Sequence, residues 1–314
     1  MVSILGTCAK MLAMDFADTT LLEQSYNNRA LVPDHPQHLA QWVQGSASAR
    51  AKLPCHLNLP YAPARWGEAA LARTLDVYPA APTHTLATGA TLAPVLVFIH
   101  GGYWRSLDKA DHGFVAPLYT QRGACVVVPN YPLCPQATVA GITLAMVEAL
   151  VWVYRHIARF GGDHRRITVV GHSAGGQLAA QLMTCRWPRV EADLPAHLVR
   201  NALSLSGLHD LRPLRAVRFL QTDLKLDAAT AQRCSPARLP APTHGPTYAV
   251  VGGAESGAFL WQNQLLQQAW GRRAVPVCEA MPGLNHFTVA SALAEPGHRL
   301  SQHVLDLLGV ADNP

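Results

Sequence analysis

Short apolar runs alternate along the chain with longer stretches whose apolar positions recur every three or four residues. Six runs, at 94–99, 124–128, 167–170, 202–205, 247–251 and 275–280, are short and dominated by apolar residues, Val, Ile, Leu and Ala above all. Runs of that length are predicted as strands, and the first three as strands buried on both faces. Helices are predicted between them at about 109–121 and 137–160, and from the Leu178-Ala179-Ala180-Gln181-Leu182 pattern onward. Residues 19–52 are predicted as two helical pieces parted by Val32-Pro33-Asp34-His35-Pro36, and Leu39, Trp42 and Val43 give the second an apolar face to lay on the main domain. Trp42 is expected as a core anchor rather than a ligand contact.

Between 55 and 82, strand-like pieces alternate with prolines and predict antiparallel edge strands, and the Thr-, Ala- and Gly-rich stretch 80–93 predicts a loop without chemistry. The order of elements predicts an α/β fold: a mostly parallel, twisted sheet with helices on both faces. Residues 208–242 hold apolar positions at helical spacing followed by prolines, and predict an insertion that caps a site. The expected organisation is one domain over 19–314, with cap contributions from about 19–52 and 208–242. Residues 1–18 are expected to be disordered or a mis-assigned start, with Met14 as the alternative initiator.

The stretch that carries candidate chemistry is Val169-Val170-Gly171-His172-Ser173-Ala174-Gly175-Gly176. A serine between a buried strand and a helix, with a glycine two residues away on each side, sits on a turn too tight for a Cβ at either flank. Such a turn lifts the hydroxyl above the sheet edge, and the helix that starts there points its unpaired N–H groups and positive dipole end at the same spot. The expectation from this turn is a nucleophile elbow of the α/β-hydrolase kind. The plain alternative is a glycine-rich turn with an N-capping serine, which further catalytic parts in the right chain order would displace.

His100-Gly101-Gly102-Tyr103-Trp104-Arg105 directly follows the strand at 94–99. Two glycines there let the backbone turn its amides toward the serine, so the N–H groups of Gly102, Tyr103 and Ala174 are the expected oxyanion donors. His100 is expected to brace this loop rather than act as a base. Trp104, Tyr131, His172, Phe219 and Phe287 are expected to wall a pocket for flat, apolar groups. His286 follows the last predicted strand and precedes a closing helix, which makes it the candidate base; His298 and His303 fall in that terminal helix. Glu255 follows the penultimate strand and is the expected acid. Asp210, one strand earlier, is the alternative and reads equally well as a helix cap.

Composition narrows the classes. Of 314 residues, 49% are hydrophobic and only 14% charged, against about 25% charged in ordinary soluble domains, so a large core is expected. The formal charge is +5 but no Lys/Arg block exists, and no nucleic-acid partner is expected. Seven cysteines without a C-x-x-C suit a reducing cytoplasm. Lys10, Asp15 and Asp18 interrupt the mildly apolar start, and neither a leader nor a membrane span is expected. His35-Pro36-Gln37-His38 lacks further ligands, so neither metal nor cofactor is expected. The sequence leaves a homodimer open.

With these residues in place, the chain resembles the kynurenine formamidase (arylformamidase) branch of the esterase/lipase-like α/β-hydrolases. The resemblance runs from Tyr26-Asn27-Asn28-Arg29 and Val32-Pro33-Asp34-His35 to the C-terminus. His100-Gly101-Gly102-Tyr103-Trp104 is similar to that branch's His-Gly-Gly-x-Trp, where general lipases carry a third glycine. Gly171-His172-Ser173-Ala174-Gly175-Gly176, Glu255-x-x-x-Phe259-x-x-Gln262 and His286-Phe287 match further, with glutamate where the family usually has aspartate. The resemblance implies hydrolysis of N-formyl-L-kynurenine to kynurenine and formate without a cofactor. A general short-chain carboxylesterase is the alternative, and a catalytically silent binding protein of the same fold is the alternative of another class. The latter usually shows a broken triad.

Overall fold

A computed structural model describes residues 18–62, 72–81 and 92–310. The expectations for residues 1–17, Met14 among them, and for most of the 80–93 loop lie outside the described residues.

In chain order the structure has α1 (Thr19–Tyr26), α2 (Asn28–Leu31), α3 (His35–Lys52), β1 (His56–Pro60), β2 (Thr74–Tyr78), β3 (Ala93–Ile99), α4 (Ala116–Gln121), β4 (Cys125–Pro129), α5 (Val139–His156), β5 (Gly162–His172), α6 (Ala174–Met183) and β6 (Val199–Leu205). It continues with α7 (Arg218–Leu224), α8 (Ala228–Arg233), β7 (Thr247–Gly252), α9 (Gly257–Ala274), β8 (Cys278–Met281), α10 (Thr288–Ser291) and α11 (Arg299–Leu308). The strands form one sheet in the order β1-β2-β4-β3-β5-β6-β7-β8. β1–β2 and β2–β4 pair antiparallel, and every other pair is parallel.

Successive side chains of a strand point to opposite faces, so a strand covered on both sides must be apolar throughout. β3 shows the consequence: Val95, Val97 and Ile99 enter one core layer, and Leu96 and Phe98 enter the other. Ile142, Met146, Leu150 and Val153 of α5, with Leu178 and Leu182 of α6, fill the first layer. Leu300, Val304 and Leu308 of α11 fill the second. Among the described residues one helix, Val139–Phe160, is long and apolar enough to cross a membrane by length and composition, and it lies against the sheet as a core helix.

Two sequence expectations are corrected. The helix predicted over 109–121 is two 3-10 turns, Lys109–Asp111 and Gly113–Val115, followed by the short α4. Pro117 donates no N–H and its ring would meet the carbonyl of Gly113, so a continuous helix breaks there and the proline takes a first-turn position instead. The last strand starts at Cys278 rather than Val275, because α9 ends only at Ala274. A buried ion pair, Lys109 Nζ to Asp76 Oδ1 at 2.6 Å, joins this broken stretch to β2.

Burial also sets the response to acid. It pushes the His112 imidazole down to about 3 and the His209 imidazole to about 4, whereas an unfolded chain protonates histidine near about 6.5. Below that value the unfolded state takes up protons that the folded state refuses, so stability is full above about 6.5 and declines as pH falls toward 4 and then 3. Urea midpoints are expected to fall steadily between pH 7 and pH 5, before most carboxylates titrate. A flat profile over that interval would show that these rings are charged in the fold.

Candidate active site

At the carboxyl end of β5 the backbone of Ser173 is held at φ 57° and ψ −117°, in the left-handed half of the map that non-glycine residues avoid. The flanking glycines show why the sequence permits it. A Cβ on Gly171 would stand 1.9 Å from the carbonyl oxygen of Gly175, and one on Gly175 would stand 2.0 Å from that of Ile99. The Ser173 amide donates to the carbonyl of Leu205 on β6 at 2.8 Å. The hydroxyl is thereby placed at the start of α6.

The loop after β3 lies against this turn. Gly102 (φ 102°), Tyr103 (φ 51°) and Trp104 (φ 56°) form a run of left-handed residues, and a Cβ on Gly102 would fall 2.1 Å from the carbonyl oxygen of Ser106. Both Arg105 and Ser106 donate their amides to the Gly102 carbonyl at 3.1 Å. Among the described residues the amides of Gly102 and Tyr103 serve no backbone carbonyl, and the amide of Ala174, in the first turn of α6, has no partner within the helix. His100 braces the loop from beneath: Nδ1 meets the Gly101 carbonyl at 2.8 Å and Nε2 meets Asn130 Oδ1 at 3.0 Å. Burial lowers its pKa, against the raising effect of these two hydrogen bonds.

His286 Nδ1 donates to Glu255 Oε2 at 2.6 Å. The other carboxylate oxygen, Oε1, accepts from Ser206 Oγ at 2.5 Å and from the Gly252 amide at 2.8 Å. The Glu255 side chain is fully shielded from solvent. Asn285 Oδ1 accepts from the amides of Phe287 and Thr288, both at 2.9 Å, and fixes the turn that carries His286. The imidazole packs 4.6 Å from the ring of Phe259 and 4.7 Å from that of His172. His172 Nε2 donates to the backbone carbonyl of His286 at 2.9 Å, and burial, then the neighbouring His286 and His112, hold its imidazole well below the usual histidine range.

Asp210 serves elsewhere. Both of its oxygens are taken by the guanidinium of Arg212, and Oδ1 also accepts the Arg212 amide. A second serine–histidine contact exists, Ser204 Oγ to His209 Nε2 at 2.8 Å. Both residues are wholly buried, and neither lines the cavity that holds Ser173. Ser204 also reaches the Gly176 carbonyl and His209 Nδ1 reaches that of Gln262; this pair clamps α6 and α9 to β6.

Ser173 and His286 line one cavity of about 460 Å³, within the size range of small-molecule sites. Gly102, Tyr103, His172, Phe219 and Phe287 line it with them. Trp104 and Tyr131, expected in its wall, are instead buried behind the loop that follows β3. Trp104 Nε1 donates to Gln177 Oε1 of α6 at 3.1 Å, and Tyr131 stacks on His100 and donates to its carbonyl at 2.9 Å. After a Gly-Gly turn adjacent residues diverge, so Tyr103 faces the cavity and Trp104 the core. Trp42 is a core anchor, 2% exposed and bonded to Ser291, yet one edge reaches the cavity. Sequence reasoning missed Asn28, Arg29, Arg105 and Asp223 in the lining. The polar Asn27-Asn28-Arg29 break between helical pieces was the one available signal. Among the described residues no group of three or more His, Cys, Asp or Glu side chains could hold a metal.

A model of the carboxylesterase family matches residues 73–212. Kynurenine formamidases from Salmo salar and Danio rerio are each 26% identical to this chain, covering 87% of it and 88% of their own length. A crystal structure from Silicibacter sp. TM1040, carrying a provisional thioesterase assignment, is 28% identical, with TM-score 0.75 over 90% of this chain and 97% of that one. Esterase B from Lactobacillus rhamnosis shares the fold at 17% identity and TM-score 0.64, over 90% of this chain and 94% of that one.

Proposed function

Since the chain belongs to the esterase/lipase α/β-hydrolase superfamily and is a serine hydrolase, we propose that Ser173, His286 and Glu255 are its catalytic triad and that it cleaves small aryl esters and amides. The observation that carries this reading is the fully shielded Glu255 carboxylate on His286 Nδ1, beside a cavity lined by both His286 and Ser173. A carboxylate there fixes the tautomer whose Nε2 accepts the serine proton, and stabilises the imidazolium that results. Ser173 Oγ attacks the carbonyl, the amides of Gly102, Tyr103 and Ala174 take the charge on its oxygen, and the protonated imidazole releases the leaving group. Water then hydrolyses the acyl-enzyme by the same route.

Short-chain carboxylesterase activity is the broad form of the proposal. Its specific form is hydrolysis of N-formyl-L-kynurenine to kynurenine and formate, and relatives of that name covering 87% of the chain favour it. The formamidase reading expects a formyl-enzyme, for which the aromatic wall of Tyr103, Phe219 and Phe287 would hold the aryl leaving group. A cytoplasmic setting suits the six described cysteines, all free. The deciding measurement compares kcat/KM on N-formyl-L-kynurenine with that on p-nitrophenyl acetate and butyrate. The formamide is expected to be turned over at least as well as the esters. A preference for the esters by more than about a hundredfold, some 2.7 kcal/mol in barrier, would leave only the carboxylesterase form.

A further inference from the structure

The sheet end opposite Ser173 holds a second cavity, of about 600 Å³, where β5, β6 and β7 begin. Arg165, in its wall, precedes Ser173 by about 26 Å of strand at about 3.3 Å per residue. The lining is basic: Arg165, Arg200, His164, His197 and His244 contribute to it, and no Asp or Glu does. The carboxylates carried on the adjoining stretches are spent elsewhere. Asp163 holds Arg165 at 3.2 Å and Arg166 at 3.3 Å, and Glu191 and Asp193 both hold Arg155. Arg200 is exposed and makes no ion pair among the described residues. Gly245 (φ 55°) lets the turn before β7 press on β6, since a Cβ there would stand 1.7 Å from the Arg200 carbonyl oxygen. That approach stacks the ring of His244 on that of His197, with centroids 4.1 Å apart. His244 Nε2 donates to the Val199 carbonyl at 3.1 Å, which leaves Nδ1 for another partner. Burial, then the neighbouring His197, lowers the His244 pKa, so this ring resists charging until an anion comes to it. Asn201 lines the same wall; its Nδ2 donates to the Leu307 carbonyl at 2.8 Å, which leaves Oδ1 buried and without a donor.

We infer that this cleft is a second ligand site, distinct from the one at Ser173, and that it binds a small phosphate monoester bearing a hydroxyl group: Arg200, His197 and His244 receive the phosphate, and Asn201 Oδ1 accepts from the hydroxyl. The chemistry follows from the inventory. A guanidinium presents its donors in a fork that matches phosphate oxygens, and an imidazole that takes up a proton beside a dianion adds a charge-assisted bond. A buried acceptor at a cavity wall calls for a donor, which a bare dianion such as sulfate lacks and an ester with a hydroxyl supplies. The adjoining cavity shares His244, Gly245 and Pro246, is lined further by Trp270 and Arg273, and has no Asp or Glu in its wall, so the body of the ester has room beyond the phosphate. The inference stands apart from any reading of the triad.

The test is calorimetric titration of the whole chain at low ionic strength, where exposed charges are least screened. Three probes separate the contributions: glycerol 3-phosphate with phosphate and hydroxyls, inorganic phosphate as the free anion, and sulfate with charge alone. Glycerol 3-phosphate is expected to saturate one site and to bind at least about tenfold more tightly than sulfate, the order of one hydrogen bond to a buried group, with inorganic phosphate between them. Replacing Arg200→Gln and His197→Gln together should weaken the ester by at least about tenfold and remove the rise in melting temperature that it gives the wild type. Both residues are exposed, so the replacements test recognition with the fold intact. Arg29→Gln removes a charge from the cavity that holds Ser173 and should leave the ester's affinity unchanged. Absence of saturable binding, equal affinity for all three probes, or a loss that follows Arg29→Gln rather than the Arg200 and His197 pair would overturn the assignment. Inorganic phosphate bound as tightly as the ester would overturn the choice of an ester. Failure to hydrolyse any ester or amide would refute the catalytic reading on its own and leave this comparison decisive.

Discussion

Ser173→Ala is expected to lower kcat by about a hundred-thousand- to a million-fold, the scale seen when the nucleophile of a serine enzyme is removed. Substrate should still bind, because the cavity wall and the loop after β3 do not depend on the hydroxyl. Alanine retains the Cβ and meets the same backbone strain at φ 57°, so the melting temperature should change little. Loss of labelling by a fluorophosphonate probe should accompany the loss of turnover. Residual activity within tenfold of wild type would move the nucleophile elsewhere, and the structure limits where. Ser106 also lines the cavity, but its Oγ donates to the Gly102 carbonyl at 3.0 Å within the loop after β3. Ser204 is wholly buried beside His209.

What the sequence shows of this site follows from which constraints are local. The turn at Ser173 is legible because Gly171 and Gly175 are required by contacts with neighbouring backbone, 1.9 and 2.0 Å from a hypothetical Cβ. Parallel strands are legible because a strand buried on both faces leaves no room for polar residues, as β3 and β4 show. Glu255 and His286 are legible as candidates from their places after β7 and β8, since the chain reaches the same sheet edge each time a parallel strand ends.

The walls are another matter. Whether Tyr103 or Trp104 faces the cavity depends on three consecutive left-handed residues, a conformation no periodic pattern reports. Tyr131 sits at the expected strand end, but its ring stacks on His100 at 4.3 Å and is drawn behind the loop. Arg29 and Asp223 come from α2 and α7, nearly two hundred residues apart in sequence. Their meeting at one cavity is tertiary information, invisible to composition or local spacing.

Glu255→Gln is expected to lower kcat by about ten-thousand-fold with KM little changed, the scale of the corresponding acid-to-amide change in a serine protease. The amide matches the carboxylate in shape but not in hydrogen-bonding sense. Glu255 accepts three hydrogen bonds, from His286 Nδ1, Ser206 Oγ and the Gly252 amide. A glutamine that offers its oxygen to His286 turns its NH2 toward the Gly252 amide, two donors facing each other in a site closed to water. One that turns the other way offers its NH2 to Nδ1, which selects the tautomer with the proton on Nε2, where it cannot accept from Ser173. Either arrangement removes the anion that stabilises the imidazolium. Steady-state kinetics at neutral pH check the size of the loss, and circular dichroism checks that the fold survives. Near wild-type turnover would require another acid to orient His286. Asp210 could take that role only by releasing the bidentate guanidinium of Arg212, whose closest contact is 2.6 Å. Asp210→Asn in the same assay should therefore leave kcat within a few fold, because its carboxylate holds Arg212 and not the imidazole.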